Sequence, residues 1–276
     1  SSQTFTVTVN AVNDAPTLAA VDAVNFNEDS STSITLSGSD IDGDGLTYSV
    51  SDGADITATV NGFTVTFTAT QDFNGSEEFT ATVTDGEYSS SQTFTVTVAA
   101  VNDAPTLAAV STVTFDEDGS GSTALSGSDI DGDALTYSIS GGSDITATVD
   151  GSTVSFSATT NFNGSESFTA TVTDSEYSSS QTFTVTVNAI NDAPVLSVVD
   201  AVSFAEDSST LITLSGNDVD GDQLDYSIST GTDIIATLDG TTITFTATQD
   251  FNGSESFTAT VTDDQLSSSQ AFTVTV

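Results

Sequence analysis

No lysine, arginine or histidine occurs in these 276 residues, against 40 aspartates and glutamates. No side chain can therefore form a salt bridge. The net charge of −40 at pH 7 opposes a compact state by self-repulsion, and salt screens only its exposed, well-separated part. Carboxylates crowded at contact distance need a counter-ion: a basic partner, monovalent salt, or divalent cations bound by the chain itself. Nucleic acid is excluded, because it repels a polyanion that has no basic residue. Cysteine is absent too, which rules out disulfides and thiolate metal sites, and the lack of lysine rules out Lys-based isopeptide cross-links. Catalysis without His, Cys, Lys or Arg reduces to paired-carboxylate hydrolysis or metal-assisted chemistry, each of which needs one specialised cleft, so the chain is expected not to be an enzyme. The absence of tryptophan removes the usual sugar-stacking platform. No apolar run approaches the roughly 18 residues of a membrane helix, so no membrane insertion is expected, and no signal-peptide pattern opens the chain.

What is present suffices for packed cores, with 36% hydrophobic and 8% aromatic residues. The pattern is repetitive: VNDAP stands at 12–16 and 101–105 and INDAP at 190–194, a period of 89 residues. Phe5, Phe94, Phe183 and Phe272 open the same FTVTV strand, and Phe73, Phe162 and Phe251 share another slot, as core anchors. Residues 1–12 are accordingly expected to be the last strand of a preceding repeat plus its linker, followed by repeats at 13–101, 102–190 and 191–276. FTVTV, TATVTD and VTFTAT alternate apolar residues with Thr at period two, which predicts strands with Phe and Val inward. In the first repeat these fall near 22–26, 32–37, 46–51, 55–60, 63–69, 78–84 and 92–98. Asn61-Gly62, Asp150-Gly151 and Asp239-Gly240 are preferred two-residue hairpin turns. Seven short strands without a helical period predict an all-β fold: tandem seven-stranded Greek-key β-sandwiches of immunoglobulin or cadherin-like type, arranged end to end.

The stretch SDIDGDGLTYS places Asp40, Asp42 and Asp44 within five positions. An EF-hand is excluded: the sixth loop position is Gly45, Ala134 or Gln223, the twelfth is Ser51, Ser140 or Ser229, and no flanking helices are expected. Together with FNGSE, TATVTDG, SSSQTFTVTV, VNDAP and FNED, the stretch resembles the bacterial cadherin-like tandem repeats of very long surface and secreted proteins. The resemblance covers the whole chain and implies calcium held where one repeat meets the next. Carried over by position, it implies a first junction of Glu28, Glu77, Asn102, Asp103, Asp129, Asp131 and Asp174. It implies a second of Glu117, Glu166, Asn191, Asp192, Asp218, Asp220 and Asp263, and a half-site of Asn13, Asp14, Asp40, Asp42 and Asp85 ahead of the first repeat.

The chemistry agrees with that resemblance. Ca2+ takes about 6–8 oxygen ligands from carboxylates, Asn side chains, carbonyls and water in tolerant geometry, whereas Mg2+ keeps its waters and Zn2+ prefers the missing His and Cys. The expected role is a calcium-rigidified extracellular repeat of an adhesin stalk or surface fibre. Its partners would be neighbouring repeats or subunits, with cell-surface glycans met through other domains. Two alternatives are a filament subunit that donates residues 1–9 as a strand to its neighbour, and a glycan-binding or homophilic module. Solvated acidic loops without any ion are the bland alternative.

Overall fold

The computed structural model describes all 276 residues. Its contacts divide into two compact units. One comprises Ser1–Thr106 with Gly127–Leu135 and Thr173–Ser179, and the other Leu107–Ser126, Thr136–Val172 and Ser180–Val276. All secondary structure is β, and no helix is long and apolar enough to cross a membrane.

The first repeat has nine strands: β1 (Thr17–Leu18), β2 (Val24–Asn27), β3 (Ser31–Thr35), β4 (Gly38–Ser39), β5 (Thr47–Val50), β6 (Ile56–Asn61), β7 (Thr64–Ala69), β8 (Gly75–Thr84) and β9 (Ser89–Ala99). One sheet has the order β2-β9-β8-β5 and the other β3-β7-β6, while β1 pairs only with β4. β2 runs parallel to β9, with Val24 beside Val96 and Phe26 beside Val98; the remaining pairings are antiparallel. The alternation read from sequence is the burial pattern. Val65 and Phe67 on β7, Phe79, Ala81 and Val83 on β8, and Phe94, Val96 and Val98 on β9 point inward. Phe67 meets Phe79 edge-on at 5.5 Å and Phe94 at 6.0 Å, the arrangement that aromatic quadrupoles favour. The Asn61-Gly62 turn closes the β6–β7 hairpin with Asn61 opposite Thr64 and Gly62 at φ +63°.

The second repeat follows this plan. Val113–Asp116 lies parallel to the strand Ser178–Asn188, and Ser120–Ala124, Thr153–Ala158 and Ile145–Asp150 form the three-stranded sheet. In the third repeat the strand Ser267–Thr275 is flanked by Ser254–Thr262 and, in parallel, by Val202–Ser203. The aromatic trio recurs as Phe156, Phe168 and Phe183, then as Phe245, Phe257 and Phe272.

Two features depart from the sequence reading. β8 and β9 start three residues earlier than the apolar pattern indicates, because their first turns of ladder are polar: Ser76 and Thr82 on β8 pair hydroxyl to hydroxyl with Thr97 and Ser91 on β9. The β1–β4 pair was not foreseen, being two residues long on each side. Residues 1–9, read as a strand, form none, and Phe5, Val7 and Val9 are 87%, 73% and 90% exposed.

Candidate metal centre

The first junction lies wholly within one unit. Glu28 follows β2, and its N–H donates to the Ala99 carbonyl at 3.0 Å, which fixes it beside the point where the chain leaves β9. Its Oε1 accepts the Val101 N–H at 2.6 Å. Its Oε2 is buried with no partner, in a residue only 3% exposed. Two residues on, Asp103 donates its N–H to Asp131 Oδ2 at 2.8 Å. The loop carrying Asp131 winds around one oxygen of Asp129: Oδ1 accepts the N–H groups of Asp131 and Asp133. Gly132 supplies the φ of +83° that the turn requires. The other oxygen, Asp129 Oδ2, and Asp103 Oδ2 are also buried and unpartnered. Asn102 donates its amide to Asp174 Oδ2 at 3.0 Å, leaving its own oxygen unused by that bond. Carboxylate oxygens of Asp129, Asp131 and Asp133 lie within 4.8 Å of one another.

The second junction, likewise inside one unit, repeats the arrangement. Ile190 donates to Glu117 Oε1 at 2.6 Å, Asn191 to Asp263 Oδ2 at 2.9 Å, Asp192 to Asp220 Oδ2 at 2.8 Å and Asp220 to Asp218 Oδ1 at 2.9 Å. Glu117 Oε2, Asp192 Oδ2 and Asp218 Oδ2 are the buried oxygens without a partner. Ahead of the first repeat, Asn13 binds Asp85 at 3.1 Å, Asp14 N–H binds Asp42 Oδ2 at 2.8 Å, and Asp40 Oδ2 is buried alone. Glu206, in the slot of Glu28 and Glu117, is exposed. Burial of the other two therefore comes from the linker and the loops that follow it.

Electrostatics sort these carboxylates into two kinds. Desolvation, then the charges of Asp72, Asp131, Asp29 and Glu28, push Asp103 above the ordinary aspartate value. Desolvation, then Asp220, Asp118, Glu117 and Asp218, do the same to Asp192. Asp85 is held low, chiefly by the N–H groups of Tyr88 and Glu87. The Leu266 N–H and the Asn191 amide hold Asp263 low. Burial raises Asp174, but the Tyr177 and Glu176 N–H groups and the Asn102 amide outweigh it. The second kind braces the loops through satisfied hydrogen bonds. The first kind is crowded negative charge, which favours a hard cation.

The bacterial Ig domain family matches residues 13–98, 102–188 and 191–276. The chain belongs to that family. Among solved structures these bacterial Ig domains are similar to mouse cadherin-23 domains EC22-24, at 17% identity and TM-score 0.56 over 96% of this chain and 99% of that one. They are also similar to protocadherin gamma B7 extracellular cadherin domains 1-4, at 18% identity and TM-score 0.51 over 96% and 77%. The extracellular domain of protocadherin gamma B4 gives 19% and 0.52 over 95% and 49%. At these identities the likeness is one of fold, cadherin-like as the sequence suggested. No curated protein matches the chain.

In the first two bacterial Ig domains, one glutamate from the sequence-derived set is bonded to a loop of its own sandwich. Glu77 accepts the N–H groups of Ala54, Asp55 and Ile56, and Glu166 those of Ser143, Asp144 and Ile145. Both carboxylates brace the loop before the hairpin of their own sandwich. Burial raises Glu166, yet these three donors hold it below the ordinary glutamate value. The loop can approach because Gly53 and Gly142 lack side chains. A Cβ on Gly53 would stand 2.3 Å from Glu77 Oε2 and from the Ile56 carbonyl, and one on Gly142 2.2 Å from the Ile145 carbonyl. Conversely, sequence reasoning passed over Asp29, Asp72 and Asp118. Oxygens of Asp29, Asp72 and Asp103 lie within 4.8 Å of one another, and Asp118 acts on Asp192. The available signal was recurrence: Asp29, Asp118 and Asp207 share one slot of the 89-residue period.

Proposed function

We propose that this chain is a calcium-stiffened segment of an extracellular stalk or surface fibre, with cations held where one bacterial Ig domain meets the next. The observation that carries this reading is the set of buried, unpartnered carboxylate oxygens, Glu28 Oε2, Asp103 Oδ2 and Asp129 Oδ2 at one junction and Glu117 Oε2, Asp192 Oδ2 and Asp218 Oδ2 at the other. A buried carboxylate oxygen left without a donor costs several kcal/mol on a generic scale, and nothing in a chain without Lys, Arg or His can neutralise it.

The donor set fits calcium. It consists only of carboxylate, amide and carbonyl oxygen, with no nitrogen or thiolate ligand for zinc, and it comes from loops of different repeats in a geometry more tolerant than magnesium accepts. Glu28, Asn102, Asp103, Asp129 and Asp131 would hold cations at the first junction, and Glu117, Asn191, Asp192, Asp218 and Asp220 at the second, with Asp174 and Asp263 bracing the linker asparagines. A bound cation supplies positive charge and a shared coordination shell that is complete in one relative orientation of the two repeats. Extracellular calcium modules work at about 10⁻⁴ to 10⁻³ M. The sandwiches themselves serve as spacers, with Ser/Thr-covered strand faces such as those of β8 and β9. Their partners are the neighbouring repeats.

X-ray scattering of the chain in calcium and in chelator tests the reading, together with calorimetric titration of the metal. Calcium binding accompanied by a longer maximum dimension is expected. Absence of binding at millimolar calcium overturns it.

A further inference from the structure

We propose that the two junctions are graded: the first holds one more divalent cation than the second, on Asp29, Asp72 and Asp103, and the amide of Asn161 is what withholds it from the second. The inference rests on the cation reading of the junctions given above and adds which junction binds more and why.

Asp29 lies in the turn between β2 and β3 and Asp72 in the turn between β7 and β8, both in the left-handed region at φ 55° and 57°. Aspartate and asparagine tolerate that region better than other side chains do. The two turns are tied by the Asp72 N–H on Asp29 Oδ1 at 3.5 Å. At the second junction the scaffold is the same: Asp118 and Asn161 are both at φ 56°, and the Asn161 N–H reaches Asp118 Oδ1 at 3.3 Å. At the matching left-handed positions the side chains are a carboxylate at 72 and an amide at 161; Asp116, which stands where the first junction has Asn27, is exposed and accepts the Asn188 amide at 3.0 Å. Three carboxylates therefore converge at the first junction, Asp29, Asp72 and Asp103, with oxygens within 4.8 Å; Asp118 and Asp192 with one amide occupy the matching slots of the second.

An acidic trio alone is not a site, but a second observation points to a ligand here. Glu28, the residue next to Asp29, is 97% buried and its Oε2 has no partner, as is true of Asp103 Oδ2. Glu28, Asp29 and Asp72 all act on the Asp103 carboxyl. Asp72, Asp103 and Asp129 also line one open pocket, so the trio is accessible to an ion from solvent. Calcium affinity rises with the number of charged ligands. Exchanging one carboxylate for an amide removes a full charge while keeping an oxygen, which weakens the position without abolishing its shape. As calcium falls, the second junction is then the first to loosen.

The test is calorimetric calcium titration of the full chain, of Asp72→Asn and of Asn161→Asp, combined with hydrogen exchange at Val101 and Ile190, whose N–H groups are bonded to Glu28 and Glu117. Both substitutions keep a residue suited to the left-handed turn and change no core contact. Asp72→Asn is expected to weaken one calcium equivalent by roughly tenfold or more and to bring protection of Val101 to the calcium level that protects Ile190. Asn161→Asp is expected to add one equivalent and shift Ile190 alone. Calcium bound by all three proteins with indistinguishable isotherms and exchange overturns the grading while leaving the cation junctions intact. No calcium bound by any of them overturns both.

Discussion

At the scale of single residues, Glu28 is the sharpest probe of what the junction is built for. One of its oxygens is satisfied by Val101 and the other is buried without a partner, and its charge is among those acting on Asp103. Glu28→Gln keeps the Val101 acceptor and puts an N–H donor in place of the lone oxygen. Without calcium this removes a buried like charge, and thermal stability of the first repeat should rise, by about 1 kcal/mol on the scale of one buried hydrogen bond. With calcium present the same change removes a charged ligand, so stability should fall. Melting curves with calcium and with chelator check the reversal of sign; a shift of the same sign in both defeats the cation reading. Legibility in the sequence also divides at this scale. Asp129 and Asp131 were readable because Asp-x-Asp is a local pattern. Glu77 was assigned to the junction because nothing in a one-dimensional string shows which donors consume a carboxylate, here three backbone N–H groups from a loop some twenty residues earlier. Asp29 and Asp72 were passed over because each is a lone acid in a turn, and the fold alone brings them together.

At the scale of elements, the hairpins and the inward Phe and Val residues follow from period-two alternation and the Asn-Gly turn, which is why the sheets were legible. The glutamate-capped loop shows what alternation leaves out. Gly53→Ala would press a methyl group into Glu77 and the Ile56 carbonyl, at a cost of about 1–3 kcal/mol, typical of overpacking. The first sandwich alone should melt earlier in denaturant, with calcium affinity at the second junction unchanged. The same element sets an acid limit. Glu166 and its third-repeat counterpart Glu255, which accepts the N–H groups of Asp233, Thr232 and Ile234, are both held below the ordinary glutamate value by donors that the unfolded chain lacks, although burial opposes the shift in each. Their contribution is therefore complete above the unfolded glutamate value of about 4.3 and is lost as pH falls through their lower folded values. Replacing both by Gln should flatten the acid side of the stability profile of the second and third sandwiches, measured by circular dichroism from pH 6 to pH 2.

At the scale of the whole molecule, each sandwich packs its own aromatic core, so on the proposed cation reading the junctions alone need the metal. Chelation should leave the far-ultraviolet β signal nearly unchanged and accelerate hydrogen exchange at Val101 and Ile190 by at least tenfold. Loss of both signals together would mean instead that the cations hold up the sandwiches. The recurrence of 89 residues made the repetition itself legible in the sequence, because each period contains one set of core positions and one set of acidic loops.

The parallel pairing of β2 with β9 bears on load. A pull that enters through the first of these strands and leaves through the last runs along their common axis, so four consecutive residue pairs, Val24 to Asn27 against Val96 to Ala99, resist in shear and must yield together rather than unzip one at a time. A tether made of such modules stretches little until a threshold tension, then gives way one module at a time.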